Sequence, residues 1–278
     1  MRNISIKLLL FVYTKIKASD KIKQIIKALF GNHKLLLKYR KFQIYLGVNN
    51  SIQSNILFNN YNEEFILGII EKYINLNYTF VDIGANIGVH TLTAASTNPK
   101  AEIFSFEPEP ENFLELIRNI QVNNFNNIIP FKVALGNEIT STLLNVNDGW
   151  NKGKHSLKSH ITNVKRQVSV PVLKLDLFQE SLRNKNLLLK VDVEGFEKEV
   201  LEGGNNVLSS TQNSVLIIEL ISEINGQEVC SEIVKSLINN GFVKVYKVDN
   251  NKLLEVHEFE NSADYIFIKG EETLKQLF

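Results

Sequence analysis

The chain has a single cysteine, Cys230, among 278 residues. An intramolecular disulfide is therefore excluded, nothing marks an oxidising compartment, and Cys230 reads as a buried helix thiol. Long apolar runs are also missing. Between Ile4 and Phe30, Lys7, Lys15, Lys17, Lys21, Lys23 and Lys27 interrupt every hydrophobic stretch well short of the ~20 residues that span a bilayer. The run Leu8 to Thr14 sits at the low edge of a signal-peptide core, and no small-x-small cleavage site follows it. A cytoplasmic protein is expected. No His-rich or Cys-rich spacing argues for zinc or iron.

What is present is enough for one large α/β domain with an extension, since 44% of the residues are hydrophobic. Residues 1–60 read as a basic helical and hairpin extension, and residues 61–278 as the main domain. The net charge of +1 conceals an asymmetry: Met1 to Phe42 carries eleven Lys or Arg against one acid, Asp20. Two readings of the extension stay open. One is a helix that packs on the domain or mediates a homodimer; the other is a basic amphipathic helix in peripheral contact with anionic lipid. From Lys34 to Leu46 the pattern is that of a hairpin.

The most informative stretch is Thr79 to Gly88. Phe80, Val81 and Ile83 suit an interior parallel strand covered on both faces, Asp82 interrupts it near its ligand-binding end, and Gly84 and Gly88 permit a sharp turn before a helix at His90 to Ser96. The next strand, Ala101 to Phe106, ends in Glu107, one βαβ unit beyond Asp82, where a carboxylate accepts hydrogen bonds from ribose hydroxyls. The turn is Gly84-Ala85-Asn86-Ile87-Gly88 and not the G-x-G-x-x-G that seats a pyrophosphate. Asp82 would repel a diphosphate and attract a cationic ligand end. S-adenosylmethionine is favoured over NAD. Taken singly, Asp82 as a loop-capping acid and Glu107 as a solvated strand end are equally good readings; their order and spacing together favour the pocket.

Phe80-Val81-Asp82-Ile83-Gly84-Ala85-Asn86-Ile87-Gly88, Phe106-Glu107-Pro108-Glu109-Pro110-Glu111-Asn112, Val133-Ala134-Leu135-Gly136 and Leu189-Lys190-Val191-Asp192-Val193-Glu194-Gly195-Phe196-Glu197 resemble the successive motifs of FkbM-type methyltransferases. The resemblance runs from Tyr61 to Lys269. It implies a Rossmann-like class I methyltransferase fold, a mostly parallel sheet with helices on both faces, and the βαβα alternation ending in two antiparallel strands suggests that the sheet is seven-stranded. The resemblance also implies S-adenosylmethionine bound by Asp82, Gly84, Asn86, Gly88, Glu107, Ala134 and Asp192, and a substrate side near Tyr61 and Glu64. For the last two, packing and a helix N-terminal charge are equally good readings.

Between Gly136 and Gln167 the composition turns to Ser, Thr, Asn, Gly and Lys, with the sole tryptophan, Trp150, and His155 and His160; this reads as an insertion over the pocket. Asn151 to Leu157 resembles the family's variable substrate-facing segment, which makes His155 the candidate base, against an idle loop histidine. Leu187 to Val191 is a further strand whose exit loop opens beside the first one, so Asp192 and Glu194 should face the transferring methyl and the acceptor. Lys190 reads as carboxylate-paired or as an ordinary strand lysine. Ser214 to Ile218 ends at Glu219, so Asp192, Glu194 and Glu219 should converge at one end of the sheet, able to hold sugar hydroxyls or Mg²⁺; no metal is assigned. Phe242 to Val248 and Ala263 to Ile268 are the last strands.

Methyl transfer from a sulfonium requires alignment, exclusion of water and removal of a proton from a hydroxyl acceptor. The resemblance implies O-methylation of a sugar, glycan or secondary-metabolite hydroxyl. A base-modifying enzyme would carry a proline-aromatic motif where Asp192-Val193-Glu194-Gly195 stands, so nucleic acid is disfavoured. The rival reading is a non-catalytic S-adenosylmethionine-binding or scaffold protein docked by its basic N-terminus; a nicotinamide dehydrogenase is weaker.

Overall fold

The computed structural model describes residues 33–48, 51–58, 63–146, 156–157 and 166–276. The expected N-terminal helix, Tyr61, Trp150, His155 and His160 lie outside the described residues. The first element is an antiparallel hairpin, β1 (Leu35–Tyr39) and β2 (Phe42–Leu46). Alternation along β2 buries Phe42, Ile44 and Leu46, and they join the same apolar cluster as the helix Glu64–Asn75. Residues 51–57 form a short helix that the turn-like sequence before it does not announce.

The main sheet is assembled from β3 (Thr79–Ile83), β4 (Ile103–Phe106) and β5 (Ile128–Phe131). A small separate sheet follows, made of β6 (Ala134–Leu135), β7 (Thr140–Val146) and β8 (Arg166–Leu173). The main sheet resumes with β9 (Leu187–Val191), β10 (Ser214–Leu220), β11 (Lys244–Asp249), β12 (Lys252–Val256) and β13 (Ala263–Lys269). Its order is β12-β11-β13-β10-β9-β3-β4-β5. The five strands β10, β9, β3, β4 and β5 are parallel, whereas β13, β11 and β12 pair antiparallel.

The sheet thus has eight strands where the sequence suggests seven. The additional strand is β12, in the connection read as hairpin-like. Asn250 and Asn251 both hold positive φ, 49° and 60°, and close a two-residue turn that places Asp249 opposite Lys252. Likewise β7 lies in the stretch read as insertion; it pairs along its whole length with β8.

Period-two alternation divides the core. On one face Phe80, Ile103, Leu188, Ile217 and Ile266 pack under the helices Glu64–Asn75, Val89–Thr97 and Pro110–Val122. On the other, Val81, Phe104, Leu189, Leu216 and Phe267 pack under Glu197–Gly203, Asn205–Ser210 and Gln227–Asn239. Cys230 is fully buried in the last of these, and burial pushes its thiol up to about 11. No helix among the described residues is long and apolar enough to cross a membrane.

Candidate active site

A cavity of about 270 Å³ opens at the carboxyl ends of β3, β4, β9 and β10. Such a crevice in a parallel sheet is where ligands bind, because the loops leaving neighbouring strands diverge there. Gly84 sets its depth. Its φ is +88°, and a Cβ would stand 1.9 Å from the Asp192 carbonyl, so only glycine lets the loops after β3 and β9 touch. The N–H groups of Gly84 and Ala85 donate to the Phe106 carbonyl at 2.9 and 3.0 Å, tying the turn to β4. Asn86, at φ 52°, then aims its N–H at Glu107 Oε2, 2.8 Å away, while Oε1 accepts from the Glu109 N–H at 2.8 Å. Glu107 is buried, and desolvation pushes its pKa up to about 8 despite those two bonds. Phe106, Val133, Ala134, Leu135 and Leu144 supply an apolar wall beside it.

Asp192, Glu194 and Glu219 line the same cavity, as their strand-end positions lead one to expect. Glu194 has the left-handed φ of 52°, strained for a non-glycine residue, and its carbonyl accepts from Ser156 Oγ at 2.7 Å. Glu197 folds back beneath this loop, its Oε1 accepting from the Gly195 N–H at 3.0 Å.

Beside the lining, and sharing Glu219 with it, is a charged layer in which Asp82 and Lys190 are buried and Glu219 and Asp264 half-buried. The register places Asp82 opposite Lys190, Lys190 opposite Ile217, and Glu219 opposite Asp264, so Asp82, Lys190, Glu219 and Asp264 project to one face. Lys190 Nζ sits 2.8 Å from Asp192 Oδ2. Burial alone would lower the Lys190 pKa, but Asp192, Glu63 and Asp82 outweigh it and raise it, holding the ammonium charged. Burial, reinforced by Asp192, Asp264 and Glu194, pushes Glu219 up to about 8; burial pushes Asp264 up to about 6. Among the described residues no three acids or histidines are grouped as metal ligands would be.

Some expected site residues stand elsewhere. Asp82 is not in the cavity wall: its side chain points into the charged layer, where Oδ2 accepts from Thr91 Oγ1 at 2.5 Å, and burial raises its pKa. Gly88 caps the helix Val89–Thr97 at φ +94° and fits against Leu116, whose Cδ1 would lie 2.5 Å from an added Cβ; it packs the helix and does not line the cavity. Glu64 turns away to Arg40 and Tyr39. The preceding residue, Glu63, reaches the cavity instead, its Oε2 2.6 Å from His90 Nε2. Sequence reasoning passed over Glu63, His90 and Asp264. A histidine two positions after a glycine turn, and an acid inside an apolar strand, were the available signals.

Residues 82–265 match the methyltransferase FkbM domain. The chain belongs to the FkbM methyltransferase family. Similar proteins include "Methyltransferase 1" of Beauveria bassiana, 32% identical over 141 residues, covering 44% of this chain and 57% of that protein. The hexuronic acid methyltransferase AglP of Haloferax volcanii is 26% identical over 164 residues, covering 59% of this chain and 64% of that protein. The matches thus span less than two thirds of each relative's length. Among solved structures, M. jannaschii TYW2 in complex with AdoMet is similar with a TM-score of 0.46 and 14% identity, covering 86% of this chain and 88% of that one.

S-adenosylmethionine, the cofactor of this FkbM family, fits the cleft on two counts. Asp82 Oδ1 is buried with no hydrogen-bond partner among the described residues, which leaves an acceptor oxygen unsatisfied under the Gly84 turn. The described lining also carries the carboxylates of Glu63, Glu107, Asp192, Glu194 and Glu219 but no Lys or Arg, which suits a ligand with net positive charge.

Proposed function

We propose that the chain is an S-adenosylmethionine-dependent O-methyltransferase acting on a hydroxyl of a sugar, glycan or secondary metabolite. The observation that carries this reading is the carboxylate-lined cleft at the strand ends, formed within residues that match a methyltransferase family. When bound, the cofactor supplies an electrophilic methyl on a sulfonium. The chain's own residues do the rest. Glu107 accepts the ribose hydroxyls with the lone pairs its two backbone partners leave, and the wall around Ala134 takes the adenine.

Asp192, fixed by Lys190, faces the sulfonium side, while Glu194 and Glu219 line the acceptor side. Burial pushes the Glu219 pKa up to about 8, which makes its carboxylate basic enough to accept the proton that the acceptor hydroxyl loses as its oxygen takes the methyl. A hexuronic acid is one acceptor to try, given AglP. Peripheral membrane contact or dimerisation through the basic N-terminus, in a cytoplasmic protein, belongs to the same proposal. Calorimetry with S-adenosylmethionine, followed by S-adenosylhomocysteine release over a panel of hexuronic acids, glycosides and polyketide alcohols, tests it. Turnover on an alcohol supports it; binding with no turnover on any member points to the non-catalytic reading, and no binding removes both.

A further inference from the structure

The ionisable lining of the cleft is one-sided. Against its five acids, His90 is the one described lining residue able to carry positive charge. S-adenosylmethionine brings a sulfonium, an ammonium and a carboxylate. The acids suit the first two charges and repel the third. If Glu107 and the wall around Ala134 take the nucleoside, on the β4 side of β3, the amino-acid tail has to extend toward β9, β10 and β13. Glu63 and His90 stand on that side, since Glu63 acts electrostatically on Lys190 and Asp264, and His90 on Asp82 and Asp264.

We propose that His90, oriented by Glu63, binds the carboxylate at the amino-acid end of the donor, an assignment that rests on the S-adenosylmethionine reading. Geometry supports it in three ways. Glu63 Oε2 lies 2.6 Å from Nε2, a close approach without hydrogen-bond alignment, so Glu63 flanks one edge of the ring and leaves Nδ1 as the nitrogen it does not approach. The residue is 93% buried yet lines the cavity, so a charge on it acts in a weakly screened site. His90 also stands in the first turn of the helix Val89–Thr97, where the opening N–H groups and the positive end of the helix dipole add to its pull on an anion. Without the imidazole a carboxylate here would face Glu63, Asp82 and Asp264 with only Lys190 in compensation, and Lys190 is already paired with Asp192. Glu63 is a positioning residue, acting through His90.

The test compares two ligands that differ only at the tail. S-adenosylhomocysteine carries the amino acid; 5′-methylthioadenosine is the same nucleoside thioether without it. Each is titrated calorimetrically into the full chain as wild type, His90→Ala, His90→Gln and Glu63→Gln. The wild type should prefer S-adenosylhomocysteine by about tenfold or more, the scale of a hydrogen bond to a charged group. His90→Ala should erase that preference and leave methylthioadenosine affinity unchanged. His90→Gln, which keeps a donor, should restore part of it, and Glu63→Gln should lower it less than His90→Ala does. Should His90→Ala fail to melt cooperatively, the two amide variants carry the comparison.

Equal weakening of both ligands would reduce His90 to a support of the fold and overturn the assignment. Unchanged binding of both, with turnover lost, would overturn it too and leave the pair as acceptor of the substrate proton. A wild-type chain that binds neither ligand removes the cofactor reading itself, and this subsite with it.

Discussion

Two buried side chains, one lining the cleft and one beside it, can each be tested alone. Glu107 is held by two backbone N–H groups, so it is prepositioned before a ligand arrives. Glu107→Ala should lower S-adenosylhomocysteine affinity by about 1.5–3 kcal/mol, the range for hydrogen bonds to a charged group, as read by calorimetry. An unaltered Kd would place the ribose elsewhere. Lys190 is the buried cation among Asp82, Asp192, Glu219 and Asp264, and breaking a buried ion pair from one side costs about 3–5 kcal/mol. Lys190→Met should therefore shift the urea midpoint sharply. A shift no larger than that of an exposed lysine variant would mean water already screens the layer. The strand-end positions of Glu107 and Asp192 were legible because strand ends and glycine turns punctuate the sequence, whereas the inward turn of the Asp82 side chain was not. Glu63 against Glu64 was not, since one residue turns a helix by about 100° and nothing in two adjacent acids says which one faces inward.

At the scale of elements, the cleft exists because the loops after β3 and β9 touch. Gly84→Ala would drive a methyl into the Asp192 carbonyl and strain a positive φ, so both the melting temperature and the cofactor affinity should fall. Gly226 offers the contrast: its φ is +87° but nothing lies within 4 Å of an added Cβ. Gly226→Ala, at φ 87° and ψ 144° in a backbone region essentially restricted to glycine, should lower the melting temperature through backbone strain alone and leave affinity as it was. Equal effects of the two variants in melting and titration would show that contact between the loops is unimportant. The parallel strands were readable from short apolar runs with acids at their ends. β7 and β12 were not, because each is half exposed and borrows its regularity from the strand beside it.

For the molecule as a whole, the acid-rich interior predicts how stability varies with pH. Glu107 and Glu219 rise from 4.5 to about 8, and Asp264 from 3.8 to about 6. Between those limits the folded chain binds more protons than the unfolded one, so stability is greatest on the acid side of the window and falls as pH rises through it. Thermal midpoints should drop from pH 5 to pH 8.5, and Glu219→Gln should flatten the slope; a midpoint that climbs with pH would contradict this. A cationic ligand favours the ionised acids, so S-adenosylmethionine binding at pH 7.5 should release protons. Calorimetry in buffers of unequal ionisation enthalpy would detect that release.

The pairing of β3 with β9 has a temporal consequence. Val81 meets Leu189 across roughly a hundred intervening positions, and the Gly84 turn has no opposing wall until they do. During synthesis the chain must emerge past Gly195 before any donor site can close. Contacts so distant along the polymer form late and slowly. Ligand added during refolding should therefore leave the early phases untouched and retain only the last-formed species, acting as a latch on a nearly finished molecule.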